Sequence, residues 1–276
     1  MAHDHDDHEH DRGLSYDLPV LARRRMIRLL AGAGLVPLVG CAGGEEETAS
    51  SSSAASSSSG TASSSTECAT IPNETAGPYP GDGSNGVNVL KESGVVRSDI
   101  TSSFGDSAGG TAEGVPLTVT LTVVDAASGC GTPKEGAAVY LWHCDRDGNY
   151  SLYSDGVTEE NYLRGVQETD DKGQVTFKTI FPACYSGRWP HIHFEVYGSL
   201  EDATAASSIT NTSQLALPKD VCDTVYATDG YSKSVSNLSQ LSLETDNIFS
   251  DGYDQQLATL EGSVDKGYTA TLTVPV

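Results

Sequence analysis

Six stretches of the chain alternate apolar and polar residues with a period of two. They are 115–126 (VPLTVTLTVVDA), 137–145 (AAVYLWHCD), 174–181 (QVTFKTIF), 191–198 (HIHFEVYG), 212–218 (TSQLALP) and 267–276 (GYTATLTVPV). Each is rich in β-branched and aromatic residues and predicts a strand. The breaks between them carry turn chemistry: GCGTPKEG at 129–136, RDGNY at 146–150 and TDDKG at 169–173. Helical periodicity is scarce, with at most a turn or two expected in 247–262, and no repeat of fixed period is visible. Many short strands divided by Gly, Pro and Asp turns predict an all-β fold, a β-sandwich with long loops and little helix.

The first 67 residues follow a different pattern. Residues 23–41, RRRMIRLLAGAGLVPLVGC, join a basic start to a short apolar run, the form of an export signal and too short for a membrane span. Arg23-Arg24-x-Met26 resembles a twin-arginine signal, and Leu38-Val39-Gly40-Cys41 resembles a lipobox with Cys41 as the lipidated residue. An uncleaved N-terminal anchor is the alternative. Residues 1–41 are therefore read as the signal, with a His/Asp-rich polar leader before it, and the Ser/Ala-rich stretch 42–67 as a tether. Residues 68–276 form the folded domain, exported and either lipid-anchored on the outer face of the membrane or secreted.

Charge narrows the partners. With 38 acidic against 16 basic residues the formal net charge is −22. Nucleic acid and anionic membrane surfaces are excluded as partners, so membrane contact is expected only through the lipid. Six cysteines in an exported chain favour disulfides. With Cys41 lipidated five remain, and Cys68–Cys130 and Cys184–Cys222 are the expected pairs.

The stretch 184–198, CYSGRWPHIHFEVYG, carries the chemistry. His191 and His193 are two apart on a half-buried strand and so share a face. Such a pair reads equally as a metal site or as two histidines hydrogen-bonded in a groove. Tyr185 and Arg188 on the preceding turn shift the balance. A phenolate is a hard anionic oxygen suited to Fe(III) more than to zinc or Cu(I), and a guanidinium suits an anionic substrate.

Three segments together resemble the intradiol ring-cleaving dioxygenases, in particular their secreted bacterial and fungal branch. They are VYLWHCDRDGNYS (139–151), YLRGVQETDDKGQVTFKTIFPACYSGRWPHIHF (162–194) and TSQLAL (212–217); CATIPNETAGPYP (68–80) and VVRSDI (95–100) extend the likeness. The resemblance covers roughly 68–226. It implies one non-haem Fe(III) per chain held by Tyr150, Tyr185, His191 and His193, Tyr185 being the axial tyrosinate released by substrate and His191 the axial histidine. It implies that Arg188 and Gln214 stabilise negative charge on the bound ring and that Tyr79 contacts substrate, a packing role being the alternative for Tyr79. Gln214 lies farther from the histidines than the family spacing, across an insertion at 198–211.

The activity implied is cleavage of a catechol-type ring by O2 between its two hydroxylated carbons, giving a muconate-type diacid. A monomer or weak homo-oligomer is expected. Trp142 is expected in the core, His143 as a satisfied strand histidine, and Tyr153 and Tyr162 as structural or on the pocket rim. The rivals are a non-catalytic β-sandwich lipoprotein that binds aromatics or metal, and a zinc or copper enzyme using both histidines with a carboxylate.

Overall fold

The computed structural model describes residues 68–276. The export signal with Cys41, the leader and the 42–67 tether lie outside the described residues. Eight strands form two four-stranded sheets. The strands are β1 (Pro116–Val124), β2 (Ala138–Trp142), β3 (Arg164–Glu168), β4 (Gln174–Ile180), β5 (His191–Tyr197), β6 (Ile209–Ala216), β7 (Thr259–Ser263) and β8 (Gly267–Pro275). One sheet runs β4-β1-β8-β7 and is mixed, since β1 and β8 are parallel. The other runs β3-β2-β5-β6 and is antiparallel. Three short helices, α1 (Leu200–Ala205), α2 (Lys219–Tyr226) and α3 (Ser232–Leu238), lie in the connections.

The period-two pattern determines which residues enter the core. From the first sheet Leu117, Val119, Leu121 and Val123 of β1, Val175 and Phe177 of β4, and Ala270 and Val274 of β8 point inward. They meet Val139 and Leu141 of β2, Ile192, Phe194 and Val196 of β5, and Leu215 of β6. Each large aliphatic or aromatic side chain contributes roughly 1.5–3 kcal/mol on burial. The alternate residues of β1 and β8, Thr118, Thr120, Thr122 and Thr269, Thr271, Thr273, face outward, as expected for a sheet with one wet side.

Strand β5 departs from expectation, because all seven of its residues are buried. Residues 71–97 cross the outer face of β3-β2-β5-β6. Glu74 N donates to Thr212 O at 2.7 Å, Val166 N to Val95 O at 2.9 Å, and Tyr140 Oη to Pro80 O at 2.7 Å. Under this cover Tyr79, Val89, Leu90 and Val95 pack against Tyr140, Trp142 and Tyr197 in a second apolar cluster. One face of β5 thus feeds the sandwich core and the other a covered polar layer.

The cysteines are a partial correction. Cys68 and Cys130 are bridged, tying the start of the described chain to the turn after β1. Cys184 and Cys222, expected to pair, are free buried thiols, as is Cys144. The Cys184 thiol points at the Arg188 carbonyl, 3.5 Å away. Burial pushes Cys184 up to about 12 and Cys222 well above the usual thiol range.

His143 follows β2 and is satisfied as expected: Nδ1 lies 2.8 Å from Cys144 O and Nε2 2.7 Å from Thr179 Oγ1. Burial pulls its imidazole down to about 4. The unfolded imidazole, near 6.5, takes up a proton that the folded one does not. Stability is thus intact above about pH 6.5 and falls as pH drops towards 4, by about 3 kcal/mol from this group. Urea unfolding midpoints followed from pH 7 to 4 should fall less steeply in His143→Gln by that amount.

Candidate metal centre

β5 pairs with β2 on one side and β6 on the other, and the register aligns Trp142, His193 and Gln214 in one row. Trp142 stacks on the His193 ring at 4.9 Å between centroids and 7° between planes, which fixes the imidazole plane. The covering segment also approaches this ring closely. Gly77 has φ +71°, and a side-chain carbon there would lie 3.4 Å from His193 Cε1, so glycine serves both the turn and the close approach. His191 Nδ1 lies 2.5 Å from the Trp189 carbonyl. That bond puts the proton on Nδ1 and leaves Nε2 as a lone pair aimed at the cluster.

Four donor atoms converge. His191 Nε2 is 3.1 Å from His193 Nε2 and 3.3 Å from Tyr185 Oη. Tyr150 completes the group, its ring 5.9 Å from that of Tyr185 and 6.3 Å from that of His193. Its hydroxyl is buried and makes no hydrogen bond of ordinary geometry. Tyr150 arrives on the loop after β2, where Gly148, at φ +93°, lies against Tyr185 Cβ. Tyr79 lies on the Tyr150 ring at 4.9 Å and on Tyr153 at 5.3 Å, so it is part of the wall behind a candidate ligand.

The electrostatics suit a cation. Burial, reinforced by the Arg188 charge, holds His191 well below its usual value. Burial and then His191 do the same to His193. Both imidazoles are therefore neutral and need shed no proton to bind a metal. Burial first, and the Tyr185 phenol second, push Tyr150 well above the usual phenol range. A buried phenol of that kind ionises only where a strong positive charge stabilises its oxygen. Adjacent ligands held at about 2.1 Å from one ion sit about 3 Å apart, which matches the contacts of His191 Nε2. Among the described residues no group of three or more His, Cys, Asp or Glu could hold a metal. The zinc or copper arrangement with a carboxylate thus lacks its third ligand, and the two phenols distinguish this cluster.

Beside the cluster lies the Arg188 guanidinium, 3% exposed. Its Nη2 donates to Gln214 Oε1 at 2.6 Å, and Gln214 Nε2 donates to Thr75 O at 3.0 Å. The insertion at 198–211 that separates Gln214 from the histidines forms α1 and the start of β6, and leaves Gln214 opposite His193.

A model of a family described as Dioxygenase matches residues 96–228. An intradiol ring-cleavage dioxygenase from Tetranychus urticae superposes with a TM-score of 0.53 at 26% identity, covering 67% of this chain and 87% of that one. The family model covers just under half of this chain, and the fold is that of the intradiol ring-cleavage dioxygenases. Among curated proteins, the chain is 38% identical over 55 residues to a chlorocatechol 1,2-dioxygenase of Rhodococcus opacus, covering 20% of this chain and 21% of that protein. A catechol 1,2-dioxygenase of Candida albicans is also 38% identical over 55 residues, covering 20% and 18%. The matched stretch thus spans about a fifth of each curated relative's length.

Within this intradiol dioxygenase fold, two site-bearing residues carry no local sequence signal. Asp246 is fully buried and its Oδ2 accepts from Arg188 Nε at 3.1 Å, from a position 58 residues away. Its other oxygen, Oδ1, accepts from the backbone N–H groups of Ile248 and Phe249, just ahead of the short 3-10 turn Phe249–Asp251. Arg164, 1% exposed, donates to Pro80 O, Tyr79 O, Ser151 O, Ser151 Oγ and Tyr140 Oη at 2.8–3.1 Å. It joins the Tyr79 segment to the loop that carries Tyr150. A lysine reaches only part of that set and leaves buried oxygens unpaired. Arg164→Lys should therefore lower stability by about 3 kcal/mol or more, read from the denaturation midpoint at constant slope.

Proposed function

We propose that this protein binds one non-haem Fe(III) through Tyr150, Tyr185, His191 and His193. It cleaves a catechol-type ring between its two hydroxylated carbons, incorporating both atoms of O2 to give a muconate-type diacid. The observation that carries this reading is the convergence of two phenols and two neutral buried imidazoles beside a buried guanidinium, in a chain with the intradiol dioxygenase fold. Fe(III) held by these four residues would supply Lewis acidity towards a catechol substrate.

The chain's own residues divide the remaining work. Tyr150 is enclosed by Tyr79, Tyr185 and His193, and so serves as a permanent ligand. Tyr185 is only partly buried, and its oxygen, held as a phenolate by a bound cation, would be placed to take a proton from an incoming catechol. Arg188, held by Gln214, presents a fixed positive charge where negative charge develops on the ring. The closely packed cover of Gly77, Pro78 and Tyr79 limits water around His193 and Tyr150, which strengthens each of these electrostatic effects. The motifs in residues 23–41 support export by the twin-arginine route, with lipid attachment at Cys41 holding the domain outside the cytoplasm.

Protein purified with iron should be reddish from phenolate-to-Fe(III) charge transfer. Colourless protein that cleaves no catechol after ferric reconstitution would rule the reading out. Tyr150→Phe and His193→Ala should each retain iron more than about tenfold less well, since even residues that only support ligands cost that much; metal analysis after dialysis measures it. Oxygen uptake across a panel of catechol, protocatechuate, hydroxyquinol and larger lignin-type catechols, with product identification, should give diacids. Semialdehyde products would point to cleavage outside the diol.

A further inference from the structure

We propose that Asp246 is the positioning residue for Arg188, setting the place and plane of its guanidinium against the bound ring; this rests on the reading of Arg188 given above. One oxygen, Oδ2, accepts both the Arg188 side chain at Nε, 3.1 Å, and the backbone N–H of Trp189, 2.7 Å. The guanidinium is thereby tied to the turn from which it grows. The other oxygen, Oδ1, accepts from Ile248 N at 2.8 Å and Phe249 N at 3.2 Å, so the carboxylate itself cannot rotate. Gln214 Oε1 takes Nη2 at 2.6 Å. The guanidinium is thus gripped at two of its nitrogens, from β6 and from the loop before the 3-10 turn. That loop belongs to neither sheet, so the sandwich alone does not supply this constraint.

Two opposite effects follow from a carboxylate in this place, and they separate cleanly. If Asp246 only damped the Arg188 charge, removing its charge would tighten binding of an anionic ring. If it positions Arg188, removal frees a long side chain and leaves Nε and Trp189 N without an acceptor, so binding and turnover both weaken. The geometry favours the second, because four donors, three of them backbone amides, converge on this one carboxylate.

The test compares iron-loaded wild type, Asp246→Asn, Arg188→Gln and the double variant. kcat and KM are measured on whichever catechol of the panel is cleaved. Affinity for 4-nitrocatechol is also measured, since its absorption reports ionisation on binding. Asp246→Asn should keep its iron and charge-transfer band while kcat falls by about 100-fold, the scale of a misplaced catalytic group. 4-Nitrocatechol should bind about tenfold more weakly, and the double variant should be no worse than Arg188→Gln alone. Unchanged kcat, tighter 4-nitrocatechol binding, loss of iron, or a penalty that persists in the Arg188→Gln background would each overturn the proposal. Should Asp246→Asn not fold, Asp246→Glu keeps the charge, shifts it by one methylene and is held to the same outcomes. If wild type cleaves no catechol, the activity reading fails, and 4-nitrocatechol affinity alone decides the role of Asp246.

Discussion

Strand β5 is covered on both faces, and a covered strand cannot leave its polar side chains to water. On the inner face Ile192, Phe194 and Val196 satisfy this with packing alone. On the outer face His191, His193, Glu195 and Tyr197 are buried as well, and each needs a partner. Tyr197 donates to Glu195 Oε2 at 2.7 Å, which pairs the two polar side chains of the far half of the strand with each other. The near half brings two imidazole lone pairs and two phenols together with few protons to share. Such a group is costly by itself and would be favourable around a cation, so the burial of this face, the covering segment 71–97 and the proposed metal site depend on one another.

This dependence explains why part of the architecture was legible in the sequence and part was not. β1, β4 and β8 announced themselves because they bury one face against the other sheet and therefore alternate, while β2, β5 and β6 did so through their β-branched and aromatic or apolar content between turn signals. β3 did not, because its first residue is an arginine that is buried through carbonyl and hydroxyl partners instead of exposed. β7 did not, because it is a largely exposed edge strand containing Gly262, with little reason to alternate. The three helices are too short for a periodic pattern to emerge. The half-buried reading of β5 failed because no local pattern tells a strand that a segment 100 residues earlier will cover it.

The donor cluster was legible because its residues carry distinctive chemistry at short spacing. Tyr185, Arg188, His191 and His193 lie within nine positions, and Tyr150 sits in a recognisable Asp-Gly turn. Asp246 and Arg164 were not legible, since their roles arise from tertiary contacts across 58 and about 84 positions. Cys184 and Cys222 misled for the same reason. Their number and context suggested a bridge, whereas the fold turns Cys184 towards a backbone carbonyl and buries both thiols.

The two buried arginines show how one residue type is put to two uses. Arg164 gives all its hydrogen bonds to carbonyl and hydroxyl oxygens, so its charge is solvated by dipoles and not cancelled by a carboxylate. Its effect is to hold two loops together while adding positive potential near His193. Arg188 is balanced by Asp246, so at a distance the pair acts as a dipole. Close to the guanidinium edge, however, the local positive field persists and falls off steeply. A group within hydrogen-bond reach of that edge is stabilised strongly, and one a few ångströms away much less. Such a short-ranged field favours a state whose negative charge sits in one place over a ground state whose charge is elsewhere. Discrimination of that kind raises turnover more than it raises affinity.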